Sequence, residues 1–286
     1  MPKLANAGGR LVVVLPDGRV DVATSSGGAF SSDPHDAFER WEEFSAWLAS
    51  ASFVADGPAL ADDELESPVP RPRQIIGVGL SYRDHIRHSG LEVPDRPGYF
   101  AKFITALTGP FADVPVPGNG VVTEVELALV VGRGGIRIPE SEALSHLAGV
   151  TVAQDLTDTL AGVILRRADG SAGPNYVDPA KSNEGFVPLG PYLTTLDEVA
   201  DLANLDLVLD IDDRPVQRGT TADLAFSIER IISAVSNTVR LLPGDVILTG
   251  SSERLEGTRD LRLTPGQVVR ARVGELGEQR TRIVAV

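Results

Sequence analysis

The sequence predicts an α+β protein in which strands dominate and helices are few. Three observations predict it. Apolar runs are short and bounded by Gly, Pro and Asp turns. Helical spacing of apolar residues is confined to a stretch near the N-terminus and another over 227–239. No strand–helix alternation runs the length, which excludes a doubly wound sheet. Residues 1–70 read as a small α+β unit with a linker, and 71–286 as a second, strand-rich unit.

The elements follow in order. Residues 11–15 and 20–23 form a hairpin across the turn Pro16-Asp17-Gly18. Asp33-Pro34 starts a helix, with proline at the first helical position. Phe38, Trp41, Phe44, Trp47 and Leu48 follow at helical spacing and read as a packed face rather than a ligand cage. Residues 51–73, rich in Pro, Asp and Ala, read as linker. Residues 74–80 are a buried strand, and the polar turn after it carries Tyr82, Asp84, His85 and His88. Strands follow at 123–131 and 150–153. Residues 227–239 place apolar side chains at 228, 231, 232, 235 and 239, one stripe of a helix. Leu242-Pro243-Gly244-Asp245 and Thr264-Pro265-Gly266-Gln267 have Pro-Gly centres suited to type II turns, each before a strand, 246–249 and 268–273.

Composition narrows the function. The chain has 286 residues, 26 basic against 40 acidic, and a net charge of −14. Such a surface repels phosphate backbones and anionic membranes, so neither nucleic acid nor membrane is an expected partner. No apolar run approaches the ~18 residues of a membrane helix. The first residues lack the pattern of a signal peptide, so a cytoplasmic protein is expected. There is no cysteine, which excludes disulfides, thiolate metal sites and cysteine nucleophiles. No glycine-flanked G-x-S-x-G is present, which weighs against a serine hydrolase.

Chemistry concentrates in a few places. In the strand 123–131, Val125, Leu127, Leu129 and Val131 take one face and Glu124 and Glu126 the other, with Ala128 and Val130. Two carboxylates about 7 Å apart on a largely apolar strand repel each other and are poorly solvated. A divalent cation resolves both problems. On spacing alone the alternative stands beside it, a strand whose first half emerges into solvent. Without cysteine or a local histidine the ligands are all oxygen, which favours magnesium, manganese or calcium over zinc. Asp155, at the end of the strand 150–153, is the natural third ligand; a turn or cap aspartate is the other reading. Only three lysines occur, Lys3, Lys102 and Lys181. Lys181, in a loop crowded with Pro, Gly and apolar residues, can polarise a carbonyl or hold a carboxylate; an ion pair with Glu184 is the plain alternative. His85 and His88 lie one helical turn apart and supply the best general-base candidates.

At these residues the sequence resembles the fumarylacetoacetate hydrolase family, over about residues 74–286. Residues 75–85 resemble the family's strand and N-Y-x-x-H segment. Lys102 with Leu107-Thr108-Gly109-Pro110 resembles its next block. Glu124-Val125-Glu126-Leu127 resembles its E-x-E-L metal strand, and Gln154-Asp155 its third-ligand N-D. Lys181-Ser182 with Pro188-Leu189-Gly190-Pro191 resembles its lysine loop. Gln217-Arg218-Gly219-Thr220-Thr221 resembles a substrate segment, and residues 243–250 the P-G-D-x-I-x-T-G strand.

The resemblance implies a mixed β-roll or β-sandwich catalytic unit behind the small N-terminal one, and a homodimer. It implies Mg²⁺ or Mn²⁺, with Ca²⁺ as a further option, on Glu124, Glu126 and Asp155. Lys181, His85 and His88 take catalytic places, and Tyr82, Lys102, Gln217, Thr249 and Gly250 line the substrate. The implied substrate is a small 2-oxo or 2,4-diketo acid, and the expected reaction is hydrolytic or lyase C–C cleavage through a metal-stabilised enolate. A decarboxylase or isomerase using the same metal site is the alternative, and a non-catalytic metal-binding homologue a third reading. The departures matter. Hydrolytic members usually carry glutamate three residues after the histidine, where this chain has His88. Ser81 stands for the family's asparagine and Thr159 for its arginine, with Arg166 and Arg167 as possible substitutes.

Overall fold

Alternation of apolar and polar residues becomes two facing five-stranded sheets. The computed structural model describes residues 3–161, 163–166, 172–176 and 178–286, without the side chains of 163–166, 172–176 and 178. Arg167 and the Arg166 side chain therefore lie outside the description. One sheet runs in the order Leu147–Asp158, Val121–Val131, Val246–Leu248, Ile75–Gly79, Gly98–Lys102. The other runs Arg214–Thr220, Asp206–Ile211, Val268–Val273, Glu278–Ala285, Asp113–Val116. Each is mixed: Val246–Leu248 pairs parallel to Ile75–Gly79, and Glu278–Ala285 parallel to Asp113–Val116. The sheets meet through Val121–Val131 and Leu147–Asp158 on one side and Asp206–Ile211 and Val268–Val273 on the other. Val125, Leu127, Leu129, Leu207, Leu209 and Val269 are fully buried. Burying each is worth about 1.5–3 kcal/mol, which fixes the faces of both sheets.

The N-terminal residues form an antiparallel sheet, Gly18–Asp21, Arg10–Leu15, Lys3–Ala7, Leu65–Glu66, with a one-turn helix Val22–Ser25 and two longer ones, Pro34–Glu39 and Trp41–Ser50. Asp33 caps the helix Pro34–Glu39, accepting from the His35 N–H at 3.0 Å, with Pro34 at its first position. The helical run breaks at Arg40 and resumes over Trp41–Ser50. The aromatic stripe packs as expected. Phe30, Phe44 and Trp47 have ring centroids 5.2–5.6 Å apart. Trp41 lies directly on Gly132, where a Cβ would come within 2.4 Å of the indole. That glycine lets the N-terminal helix settle on the main sheet.

Several expectations need correction. Val22 and Ala23 belong to a helical turn capped by Asp21, because its carboxylate takes the Thr24 N–H at 2.9 Å. The expected linker holds the strand Leu65–Glu66, which pairs with Asn6 and Ala7. The strand expected over 150–153 extends over Leu147–Asp158, so Asp155 is interior to it and not at its end. The later helix covers Ile228–Ser236, with the Ser227 hydroxyl accepting from the Arg230 N–H at 3.2 Å. Both Pro-Gly turns form, with Gly244 and Gly266 at φ +81° and +98°. No helix among the described residues is long and apolar enough to cross a membrane.

Candidate metal centre

Strand register gathers the carboxylates. Asp155 lies directly opposite Glu124, and Ala153 opposite Glu126, across the antiparallel pair. Directly opposed residues share a face. Glu124, Glu126 and Asp155 therefore project together, and each offers an oxygen within 4.8 Å of the others'. Ala128 and Ala153, on the same face, are small and leave the carboxylates room. Gln154 points the other way. Its amide donates to the Gln279 side chain at 3.0 Å between the two sheets, so it belongs to the frame.

The electrostatics are unbalanced within the cluster. Glu126 and Asp155 are buried and Glu124 half-buried. Burial raises the Glu126 carboxyl well above its ordinary range, and Asp155 and Glu124 push the same way. Its Oε2 accepts the Gly250 N–H at 2.6 Å. Gly250 has φ +86°, and a Cβ there would strike the Ser81 hydroxyl at 2.0 Å, so this amide approach needs glycine. Burial would raise Asp155 too, but Lys102 and Lys181 outweigh it and hold the carboxyl low. Their ammonium groups take opposite oxygens, Lys102 at Oδ1 and Lys181 at Oδ2, the latter at 2.5 Å. Lys181 also donates to the Thr157 hydroxyl at 2.9 Å and stands 4.9 Å from the Phe100 ring centroid. Burial alone would lower its pKa. Asp155, Glu124 and Glu126 reverse this and raise it. The partner of Lys181 is thus Asp155, and not Glu184. Phe100 in turn sits on Gly77, where a Cβ would meet its ring at 2.2 Å.

The remaining expected residues divide into frame and rim. Lys102 donates to the carbonyls of Leu156 and Phe186 at 3.2 and 3.0 Å as well as to Asp155, so all three N–H bonds are committed to protein. Burial lowers its pKa against the pull of Asp155. Gln217 accepts from the Val125 N–H at 2.9 Å and donates to the Ser252 carbonyl at 2.5 Å. The Thr249 hydroxyl donates to the Leu127 carbonyl at 3.0 Å. In this structure these three side chains bond to main chain and, for Lys102, to Asp155. Tyr82 is fully buried. Its hydroxyl lies beside Thr249 without a well-formed hydrogen bond, and burial raises its pKa, with Glu126 and Asp84 adding to the effect.

The histidines sit on the helix Arg83–His88. Asp84 ties that helix to the loop after the Val246–Leu248 strand, since its Oδ2 accepts the Glu253 N–H at 3.0 Å. Burial raises Asp84, and the nearby Asp223 carboxylate adds to it. His85 is half-buried, with Nδ1 3.4 Å from the Ser251 carbonyl, next to the glycine that touches Glu126. His88 is exposed, and its Nδ1 pairs with the Asp84 carbonyl at 2.9 Å. The two rings thus face different partners. Two residues of the centre escaped the sequence reading. Thr157, two positions after Asp155, shares its strand face, so period-two counting could have found it. Arg254 donates to the Thr123 carbonyl at 3.1 Å, and Glu124 pulls its pKa up against burial. It carries no sequence signal.

Two facing mixed sheets with an all-oxygen cluster on the outer face of one of them define a class of carboxylate-centred α+β enzymes. The match to the fumarylacetoacetate (FAA) hydrolase C-terminal family covers residues 74–284, and the chain belongs to this enzyme family. It is 36% identical over 236 residues to human mitochondrial oxaloacetate tautomerase FAHD2A, spanning 80% of this chain and 73% of that protein. An HpcE candidate from Mycobacterium smegmatis superposes with TM-score 0.88 at 38% identity, covering 99% of this chain and 100% of that one. Maleylpyruvate hydrolase from Sphingobium sp. SYK-6, in complex with manganese(II) ion and pyruvate, gives TM-score 0.75 at 27% identity, covering 99% of each chain.

Proposed function

We propose that the chain is a divalent-metal-dependent enzyme that moves a proton at the carbon beside the oxo group of a small 2-oxo acid, a keto–enol isomerase. One observation carries the reading: Glu124, Glu126 and Asp155 converge, while the His85 and His88 rings face main-chain carbonyls and no carboxylate pairs with either ring among the described residues. The donor set fits the ion. Glu124, Glu126 and Asp155 offer only oxygen, which suits Mg²⁺ or Mn²⁺ and admits Ca²⁺. The strain of three clustered carboxylates, seen in the raised Glu126, is relieved by a cation.

When bound, such a cation supplies Lewis-acid charge to a chelating 2-oxo carboxylate and lowers the cost of negative charge on the oxo oxygen. The chain's own groups supply the rest. Lys102 fixes Asp155 in orientation. Three carboxylates against two ammonium groups leave one net negative charge. A divalent cation turns that into one net positive charge, which an anionic substrate neutralises. Lys181 adds positive charge where negative charge develops. The Ser251 carbonyl favours the His85 tautomer with its proton on Nδ1, leaving Nε2 to take and return the substrate proton. The kinship to oxaloacetate tautomerase FAHD2A supports this reading.

A second reading is hydrolytic C–C cleavage of a 2,4-diketo acid, with His85 activating water. The likeness to maleylpyruvate hydrolase favours it. The two separate by product. The EDTA-treated chain, reloaded with Mn²⁺, is incubated with freshly dissolved enol oxaloacetate and, separately, with an acylpyruvate. Faster enol loss with an intact four-carbon acid in the NMR spectrum is expected. Two carbon fragments from the acylpyruvate, with no effect on the enol, would overturn tautomerisation in favour of cleavage.

A further inference from the structure

We propose that Lys181 is a displaceable counter-ion that holds Asp155 in the metal-free protein and is expelled toward the ligand when a divalent cation enters, while Lys102 stays fixed. The proposal rests on the metal reading above and deepens it. Both lysines bond Asp155, but their surroundings differ. The Lys102 side chain is 0% exposed and its ammonium has three protein acceptors, Asp155 and two main-chain carbonyls. Moving it would strand a buried charge and two buried carbonyls, so it is immobile. The Lys181 side chain is 14% exposed. Its ammonium has two protein acceptors, Asp155 Oδ2 and Thr157, and so retains a donor beyond those bonds. It is carried on the one-turn helix Asp178–Lys181 rather than on a sheet strand.

Both oxygens of Asp155, and one of Glu126, are already in use. Asp155 presents Oδ1 to Lys102 and Oδ2 to Lys181, and Glu126 presents Oε2 to Gly250. A divalent cation beside Asp155 would meet the Lys181 ammonium as a like charge a few ångströms away. Repulsion of that kind is strong in a partly buried site. The group able to yield is Lys181. Once released, its ammonium keeps the Phe100 face and the half-buried side of the cluster, where an anionic ligand enters. The lysine thus acts twice: it stabilises three clustered carboxylates before the cation arrives and becomes a ligand-facing charge afterwards. The coupling has a cost in affinity, since binding the metal requires breaking the Lys181–Asp155 pair.

Two readouts independent of turnover test this. The first is Mn²⁺ binding to the full EDTA-treated chain, read from the free-ion EPR signal, for wild type, Lys181→Met, Lys181→Gln and Glu126→Gln. Both Lys181 variants should bind Mn²⁺ at least tenfold more tightly than wild type, and Glu126→Gln should lose binding. Two lysine variants are used so that failure of one to fold leaves the comparison intact. The second is pulsed acetylation of wild type read by mass spectrometry, where Mn²⁺ should speed modification of Lys181 severalfold and leave Lys102 unmodified. Equal or weaker Mn²⁺ binding by the folded Lys181 variants, or slower labelling of Lys181 with Mn²⁺, would overturn the displacement while leaving the metal site standing. No Mn²⁺ binding to any of the four proteins would overturn the metal reading itself.

Discussion

On one side of the centre the carboxylates stand on two long paired strands, Val121–Val131 and Leu147–Asp158; on the other the histidines ride a six-residue helix tied to a loop. The strand side is largely buried, and its carboxylates and two lysines each have a named partner or a repelling neighbour. The helix side is half-open, and its attachment runs through Asp84 to the Glu253 amide and to Asp223. Residues can vary on the helix side far more freely than on the strand side. A sheet register cannot slip by one residue without turning Glu124, Glu126 and Asp155 into the core. A short helix can change an outward residue such as the exposed His88 without disturbing anything packed beneath.

The largest effect is expected at Lys102, on the strand side. Lys102→Met leaves the buried Asp155 with one cation fewer and two carbonyls unpaired, and should cost about 3–5 kcal/mol in urea unfolding. Glu126→Gln should lower turnover by about three orders of magnitude, roughly 4 kcal/mol of transition-state stabilisation. The same change removes a repelled carboxylate, so the metal-free variant should be as stable as wild type or more so. A large loss of stability would mean that Glu126 is structural. On the helix side, His85→Ala should slow turnover by about 10²–10⁴-fold. His88→Ala should leave turnover unchanged and shift stability by no more than about 0.5 kcal/mol. Equal losses from both histidines would show that they act as a pair after all.

A smaller effect concerns pH and lies in the turn just before the strand Val246–Leu248. Asp245 is raised from 3.8 to about 6 by burial, despite the Leu242 and Gln74 donors that oppose it. A carboxyl raised in the folded state binds its proton more tightly there than in the unfolded chain. Its contribution is greatest below about pH 4 and falls as pH rises toward about 6. The stability difference between wild type and Asp245→Asn should therefore shrink over that window. A difference that is flat with pH would show that Asp245 ionises normally.

Legibility in the sequence followed range. The glutamate strand was readable because two charges in an apolar run break a period of two, a purely local signal. Helix 228–236 was readable for the same reason, from its stripe. Asp155 could be nominated but misplaced at a strand end, because its position depends on pairing with Glu124, 31 residues away, and not on its neighbours. The bonds of Lys102 to Asp155 and the Phe186 carbonyl were not legible, because these acceptors lie 53 and 84 residues further on. The strand Leu65–Glu66 is too short for any periodicity and exists because Asn6 and Ala7 pair with it. Arg254 gave no signal at all: its acceptors are main-chain carbonyls, which no side-chain pattern reveals.

The central claim is that Glu124, Glu126 and Asp155 hold a divalent cation that receives a 2-oxo acid. The most direct measurement is thermal unfolding of the full chain in EDTA, in Mn²⁺, and in Mn²⁺ with oxalate, a flat mimic of a 2-oxo carboxylate enolate. A ligand at 100 times its dissociation constant adds about 2.7 kcal/mol, a shift of several degrees. A rise with Mn²⁺, a further rise with oxalate that requires the metal, and neither in Glu126→Gln are expected. Unfolding temperatures that ignore Mn²⁺ and oxalate alike would contradict that claim.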